Sequence, residues 1–169
     1  LYIASLLQLM NYNIDYLDCL NLCNGFINDA GVPRPRRTGD GRGRYPKEEI
    51  TRPAVLEGIP RRYSRYGSPP PLASRVLDSL KRPDLVLVTS FMTYWYPGVA
   101  ETIRLIRSRW ASVPLVLGGI YATLCTDHAL RHSGADAVVS GDGIKGLAGL
   151  LSNVFGDPSE LPVAIDRLD

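Results

Sequence analysis

Asp84-Leu85-Val86-Leu87-Val88-Thr89-Ser90 is the stretch on which the fold turns. Four consecutive aliphatic residues without polar alternation suit a strand buried on both faces, as in a parallel sheet covered by helices. Pro97, well placed in a helix first turn, then opens a segment in which Val99, Ile103, Ile106 and Trp110 share one face. The alternation repeats downstream. Residues 114–117 read as a strand ending on Gly118-Gly119, and Thr126 is placed to cap a short helix that Gly134 ends. Residues 136–140 read as a further strand, and Ile144, Leu147, Leu151 and Val154 line a last helix. Upstream, Leu72, Val76, Leu77 and Leu80 mark another helix.

Strands alternating with helices predict an α/β fold, Rossmann-like (flavodoxin-like) and doubly wound around a mostly parallel sheet. At the start of the chain, Ile3, Leu6, Leu7 and Met10 recur at helical spacing, Asn11 to Asn13 break the helix, and residues 14–17 read as a short strand. A helix followed by a strand is the second half of a βαβ unit, so a first strand is expected before Leu1 and is apparently missing. A fragment lacking that strand is expected to dimerise or aggregate through its exposed sheet edge.

Composition bounds the class. The 169 residues are 45% hydrophobic and 21% charged, which fits a soluble domain with a sizeable core, and the net charge of +2 creates no strong field for nucleic acid or an anionic membrane. No apolar run approaches the roughly 20 residues that cross a bilayer. The three cysteines, Cys19, Cys23 and Cys125, are too few and irregular for a disulfide framework, which points to a reducing, cytoplasmic setting. The expected organisation is one domain over residues 1–155, interrupted by an irregular Arg/Pro/Gly-rich insertion over 24–71, with 156–169 as a linker. Arginines of the insertion are expected to cap carbonyls and pair with Glu48, Glu49 and Glu57.

In open α/β sheets the ligand lies beyond the carboxyl ends of the strands. Three segments qualify. Thr89, Ser90, Met92, Thr93 and Tyr94 offer hydroxyls and flat surface; Gly118-Gly119, with Tyr121 and Ala122 behind them, let a bulky group approach backbone; Gly141, Asp142 and Gly143 precede a helix N-terminus that could receive a phosphate or amide oxygen.

The runs Val86-Leu87-Val88-Thr89-Ser90-Phe91-Met92-Thr93-Tyr94-Trp95-Tyr96-Pro97-Gly98-Val99 and Leu117-Gly118-Gly119-Ile120-Tyr121-Ala122-Thr123-Leu124-Cys125, followed by His128-Ala129, resemble the N-terminal domain of cobalamin-binding radical S-adenosylmethionine (radical SAM) proteins. Ile59-Pro60-Arg61-Arg62-Tyr63 and Arg65-Tyr66-Gly67 extend the resemblance to one uncharacterised branch of that family. It implies a corrinoid across the strand ends, its nucleotide tail beside the Thr89-Ser90 and Gly118-Gly119 loops. It further implies a radical SAM domain in the parent protein, holding a [4Fe-4S] cluster and S-adenosylmethionine outside this chain. The Asp-x-His-x-x-Gly loop of other cobalamin proteins is absent, and Gly141-Asp142-Gly143-Ile144 stands where the family often has Gly-Glu-Gly-Glu.

The Cys-x-x-x-Cys-x-x-Cys cluster signature is absent, so Cys19 and Cys23 read as packing residues and Cys125 as a small buried one. His128 and His132 stand at a spacing a metal accepts, but no cysteine or carboxylate is placed to complete a set, and they read as surface or capping residues. Two other classes compete with the cobalamin module. One is a stand-alone flavodoxin-like domain binding a nucleotide, flavin or phosphate; the other is a protein-interaction module with a basic loop.

Overall fold

A computed structural model describes residues 2–20 and 45–155. The chain divides into two compact units, one taking residues up to Tyr16 with those from Arg82 onward, the other Leu17–Lys81.

The first unit is built on a three-stranded parallel sheet of β3 (Val86–Ser90), β4 (Leu115–Gly119) and β5 (Ala137–Val138), in that order, preceded in the chain by α1 (Tyr2–Leu9). Parallel neighbours require crossovers. Those are α3 (Tyr96–Arg109) between β3 and β4, and α4 (Ile120–Leu124) with α5 (Thr126–His132) between β4 and β5. Leu115, Val116 and Leu117 of the central strand are all buried, as a strand sandwiched on both faces must be. On α3 the face expected from the sequence, Val99, Ile103, Ile106 and the following Trp110, is buried. Gly134, at φ +82°, follows α5 in the left-handed conformation that glycine adopts most readily. The open parallel α/β architecture is thus as expected, but β3 is not the strand buried on both faces that its aliphatic run predicts: among the described residues it lies at the sheet edge, with Leu87 exposed.

Around α6 (Gly143–Phe155), Leu147 and Leu151 form a buried cluster with Leu7 of α1, and Ile3, Met10, Tyr12, Ile14 and Leu85 pack against it. Residues 14–17 differ from expectation. They form no strand: no ladder partner lies beside them among the described residues, and Ile14 contributes to the packing cluster instead. Asn11, at φ +62°, does end α1 where the asparagines predict. Thr126 also departs from its expected task, because its hydroxyl donates back to the Ala122 carbonyl at 2.8 Å and leaves α5 without a side-chain cap.

The second unit corrects the picture of a wholly irregular insertion. Residues 24–44, Cys23 among those before them, and the linker 156–169 lie outside the described residues. The rest holds an antiparallel hairpin of β1 (Lys47–Glu49) and β2 (Ser64–Tyr66), registered Lys47 to Tyr66 and Glu49 to Ser64. A short 3₁₀ turn, Ala54–Leu56, lies between the two strands. Arg65 pairs with Glu48, and Arg62 lies 3.9 Å from Glu49. Gly67, at φ +102°, sits against the Cys19 carbonyl, which accepts from the Ser68 amide at 2.6 Å. The unit ends in α2 (Pro70–Ser79), whose Leu72, Ala73, Val76 and Leu77 are buried.

Candidate functional site

The register of β3 on β4 brings two of the three expected segments side by side, pairing Thr89 with Gly118 and Ser90 with Gly119. The approach is close. A β-carbon at Gly119 would lie 2.5 Å from Thr89 Oγ1 and 2.7 Å from the Ser90 carbonyl oxygen, and Gly119 sits at φ +89°, ψ −170°, a region essentially confined to glycine. Only a residue without a side chain lets the two loops meet. Gly118 is different, for a β-carbon there would meet nothing within 4 Å, and the same is true of Gly141.

Thr123 joins the third segment to the second. Its hydroxyl donates to the Gly119 carbonyl at 3.1 Å and accepts from the Gly141 amide at 3.0 Å. Thr126 adds a 3.3 Å contact to Ser140. All three segments therefore share the carboxyl edge of the sheet.

Ser90 is buried, its hydroxyl donating to the Met92 carbonyl at 3.0 Å, which turns the chain out of β3. Beyond it the side chains emerge: Phe91 is 68% exposed, Tyr94 69% and Leu124 70%, with Met92 and Ile120 also exposed. Five uncovered large apolar side chains around one sheet edge form a surface suited to a large, flat, partly apolar ligand. Tyr94 is fixed edge-on against Trp95, ring centres 6.1 Å apart.

Two of the expected contact residues lie beneath the surface. Tyr121 and Ala122 are 1% and 0% exposed, so they support the β4–α4 turn from below and do not themselves face a ligand. The Tyr121 hydroxyl hydrogen-bonds His128 Nδ1 at 2.8 Å, and burial, with the nearby Cys125 and Tyr96 adding to it, raises the pKa of its phenol above the ordinary value. His128 is therefore a half-buried partner for Tyr121, and its ring also meets Tyr96 and His132, with centres 4.8 and 4.6 Å away, while His132 is exposed as expected. The helical spacing of the histidines was legible; the phenol bonded to His128 was not, since it precedes that residue by seven across a helix break. Cys125 is half-buried.

Asp142 also has a local task. Its Oδ1 accepts the Ile144 amide at 2.9 Å, so a carboxylate already occupies the start of α6 and disfavours a second anion there. Thr123 joins the second and third segments, and its hydroxyl in a strand-end segment is the one signal of this in the sequence. Among the described residues, no group of three or more metal-ligating side chains gathers and no helix is long and apolar enough to cross a membrane. A cavity of about 490 Å³ lies in the second unit, lined by Glu49, Arg52, Glu57 and Tyr63 among others, but it includes no residue of the parallel sheet.

In comparisons with known proteins, residues 68–151 match the family model described as the B12 binding domain. No curated protein and no solved structure matches the chain.

Proposed function

We propose that this chain, whose residues 68–151 match the B12 binding domain model, is the cobalamin-carrying module of a radical SAM enzyme, presenting the corrinoid to a separate iron–sulfur domain. The observation that carries the cobalamin reading is the strand-end edge, where open space over Gly118 and Gly141 adjoins the exposed Phe91, Met92, Tyr94, Ile120 and Leu124. The cofactor fits such an edge: a polar tail suits side-chain-free backbone, and a macrocycle suits an apolar shelf. Thr89, Thr93 and the Gly118-Gly119 backbone would hold polar edges, while Phe91, Met92 and Tyr94 would flank the ring. Bound cobalamin would supply a cobalt centre able to carry a methyl group or support radical chemistry.

The radical SAM partner rests on the sequence resemblance. Self-association of the isolated chain belongs to the same reading, since β3 is an edge strand among the described residues and its Leu87 is exposed. The test is to mix the chain with hydroxocobalamin, pass it through a gel-filtration column and record the visible spectrum of the protein peak. A corrinoid spectrum at near-stoichiometric amount is expected; a folded protein that elutes colourless would refute the reading.

A further inference from the structure

We infer that Thr123 is the positioning residue that sets the cobalamin-binding edge to its working width, an inference that rests on the cobalamin reading above. Its hydroxyl bonds both the β4–α4 turn, at the Gly119 carbonyl, and the loop after β5, at the Gly141 amide. The two loops otherwise follow different strands. The Gly119 turn is already fixed against β3 by its fit under Ser90, so Thr123 transmits that fixed position to residues 140–142. Gly141, at φ +81°, turns the chain so that its amide reaches the hydroxyl. Thr126, through its longer contact to Ser140 Oγ, reinforces the same loop without touching the Gly119 turn.

The bond from Gly141 uses a backbone N–H that would otherwise face water or ligand. Removing the hydroxyl frees that loop to swing, and the backbone opposite Gly118 loses its fixed separation. A ligand that threads between the loops should feel this, and one that only rests on the apolar shelf should not. Cobalamin and cobinamide differ in that respect, because cobinamide keeps the corrin ring and lacks the nucleotide tail.

The test compares the full chain with Thr123→Val, which keeps the volume and removes the hydroxyl, and Thr123→Ser, which keeps the hydroxyl. Hydrogen exchange without ligand should show faster exchange of the Gly141 amide in the valine variant alone, with the Val86 amide, which donates to the Pro114 carbonyl between β3 and β4, still protected as evidence of an intact sheet. In titrations, Thr123→Val should lose about tenfold in cobalamin affinity, about 1.4 kcal/mol, with cobinamide affinity unchanged and Thr123→Ser close to the unaltered chain. Unchanged Gly141 exchange, equal losses for both corrinoids, or no loss for either would overturn the role of Thr123 while leaving the cobalamin reading intact. Failure of the unaltered chain to bind cobalamin would instead refute that reading, and the positioning role with it.

Discussion

At Gly119 a β-carbon would stand 2.7 Å from the Ser90 carbonyl oxygen, whereas at Gly118 it would meet nothing within 4 Å. The double glycine reads in the sequence as one feature through which ligand meets backbone, yet the two positions answer to different neighbours. Gly119 is required by the chain's own packing and conformation. Gly119→Ala is therefore expected to destabilise the ligand-free protein by about 1–3 kcal/mol from backbone strain, with the contact to Ser90 in addition. Gly118→Val should leave thermal stability within about 0.5 kcal/mol and still weaken cobalamin binding at least ~10-fold, because its side chain enters the space proposed for ligand. Calorimetry of both ligand-free variants and a cobalamin titration of the second check this. Tight binding by a folded Gly118→Val protein would remove the tail from that position.

Among the elements, α3, β4 and β5 are tied at the amino end of the sheet by one carboxylate. Asp136 Oδ2 accepts the Leu115 amide at 2.7 Å and lies 2.5 Å from Arg107 Nη2, while Arg107 Nη1 donates to the Val113 carbonyl at 2.6 Å. The Arg107 guanidinium, aided by the Leu115 amide, lowers the pKa of Asp136 against the opposing effect of burial. A carboxylate whose native pKa is lowered stabilises the fold above its unfolded value, near 4, and loses that contribution as pH falls through the lower native value. Because Asp136 is largely exposed, the ion pair is worth only about 0.2–1 kcal/mol. Asp136→Asn should thus be less stable by roughly that amount at pH 7, with the difference from the unaltered chain shrinking as pH falls through the lowered native value. Urea unfolding at several pH values checks it, and a constant difference across that range would contradict the assignment.

For the whole molecule, the parallel sheet and its crossovers were legible because apolar runs and one-sided helix faces carry their own signal, as in residues 115–117 and along α3; the run at 85–88 marks a strand but not its place, since burial on both faces was expected and β3 lies at the edge among the described residues. The hairpin was not. Lys47–Glu49 and Ser64–Tyr66 are three-residue strands with charged, largely uncovered side chains, and neither shows a hydrophobic alternation. Residues 14–17 gave the opposite error, since an apolar stretch next to a helix specifies burial without specifying a ladder partner. At the site, the strand-end segments could be chosen from topology, but burial of Tyr121 and the Thr123 bonds depend on contacts across the fold. On the proposed carrier reading, a chain without the cluster-binding cysteine pattern should yield no 5′-deoxyadenosine from S-adenosylmethionine after anaerobic iron–sulfur reconstitution. Product above the level of a protein-free control would overturn that division between carrier and catalyst.

The Arg107–Asp136 tie stands at the opposite end of the strands from Gly118 and Thr123. Heat tolerance and ligand choice can therefore drift separately in such a protein. Substitutions around Arg107 would shift heat tolerance by small steps and leave the proposed ligand edge as it is, while changes at that edge would act on an unaltered chassis.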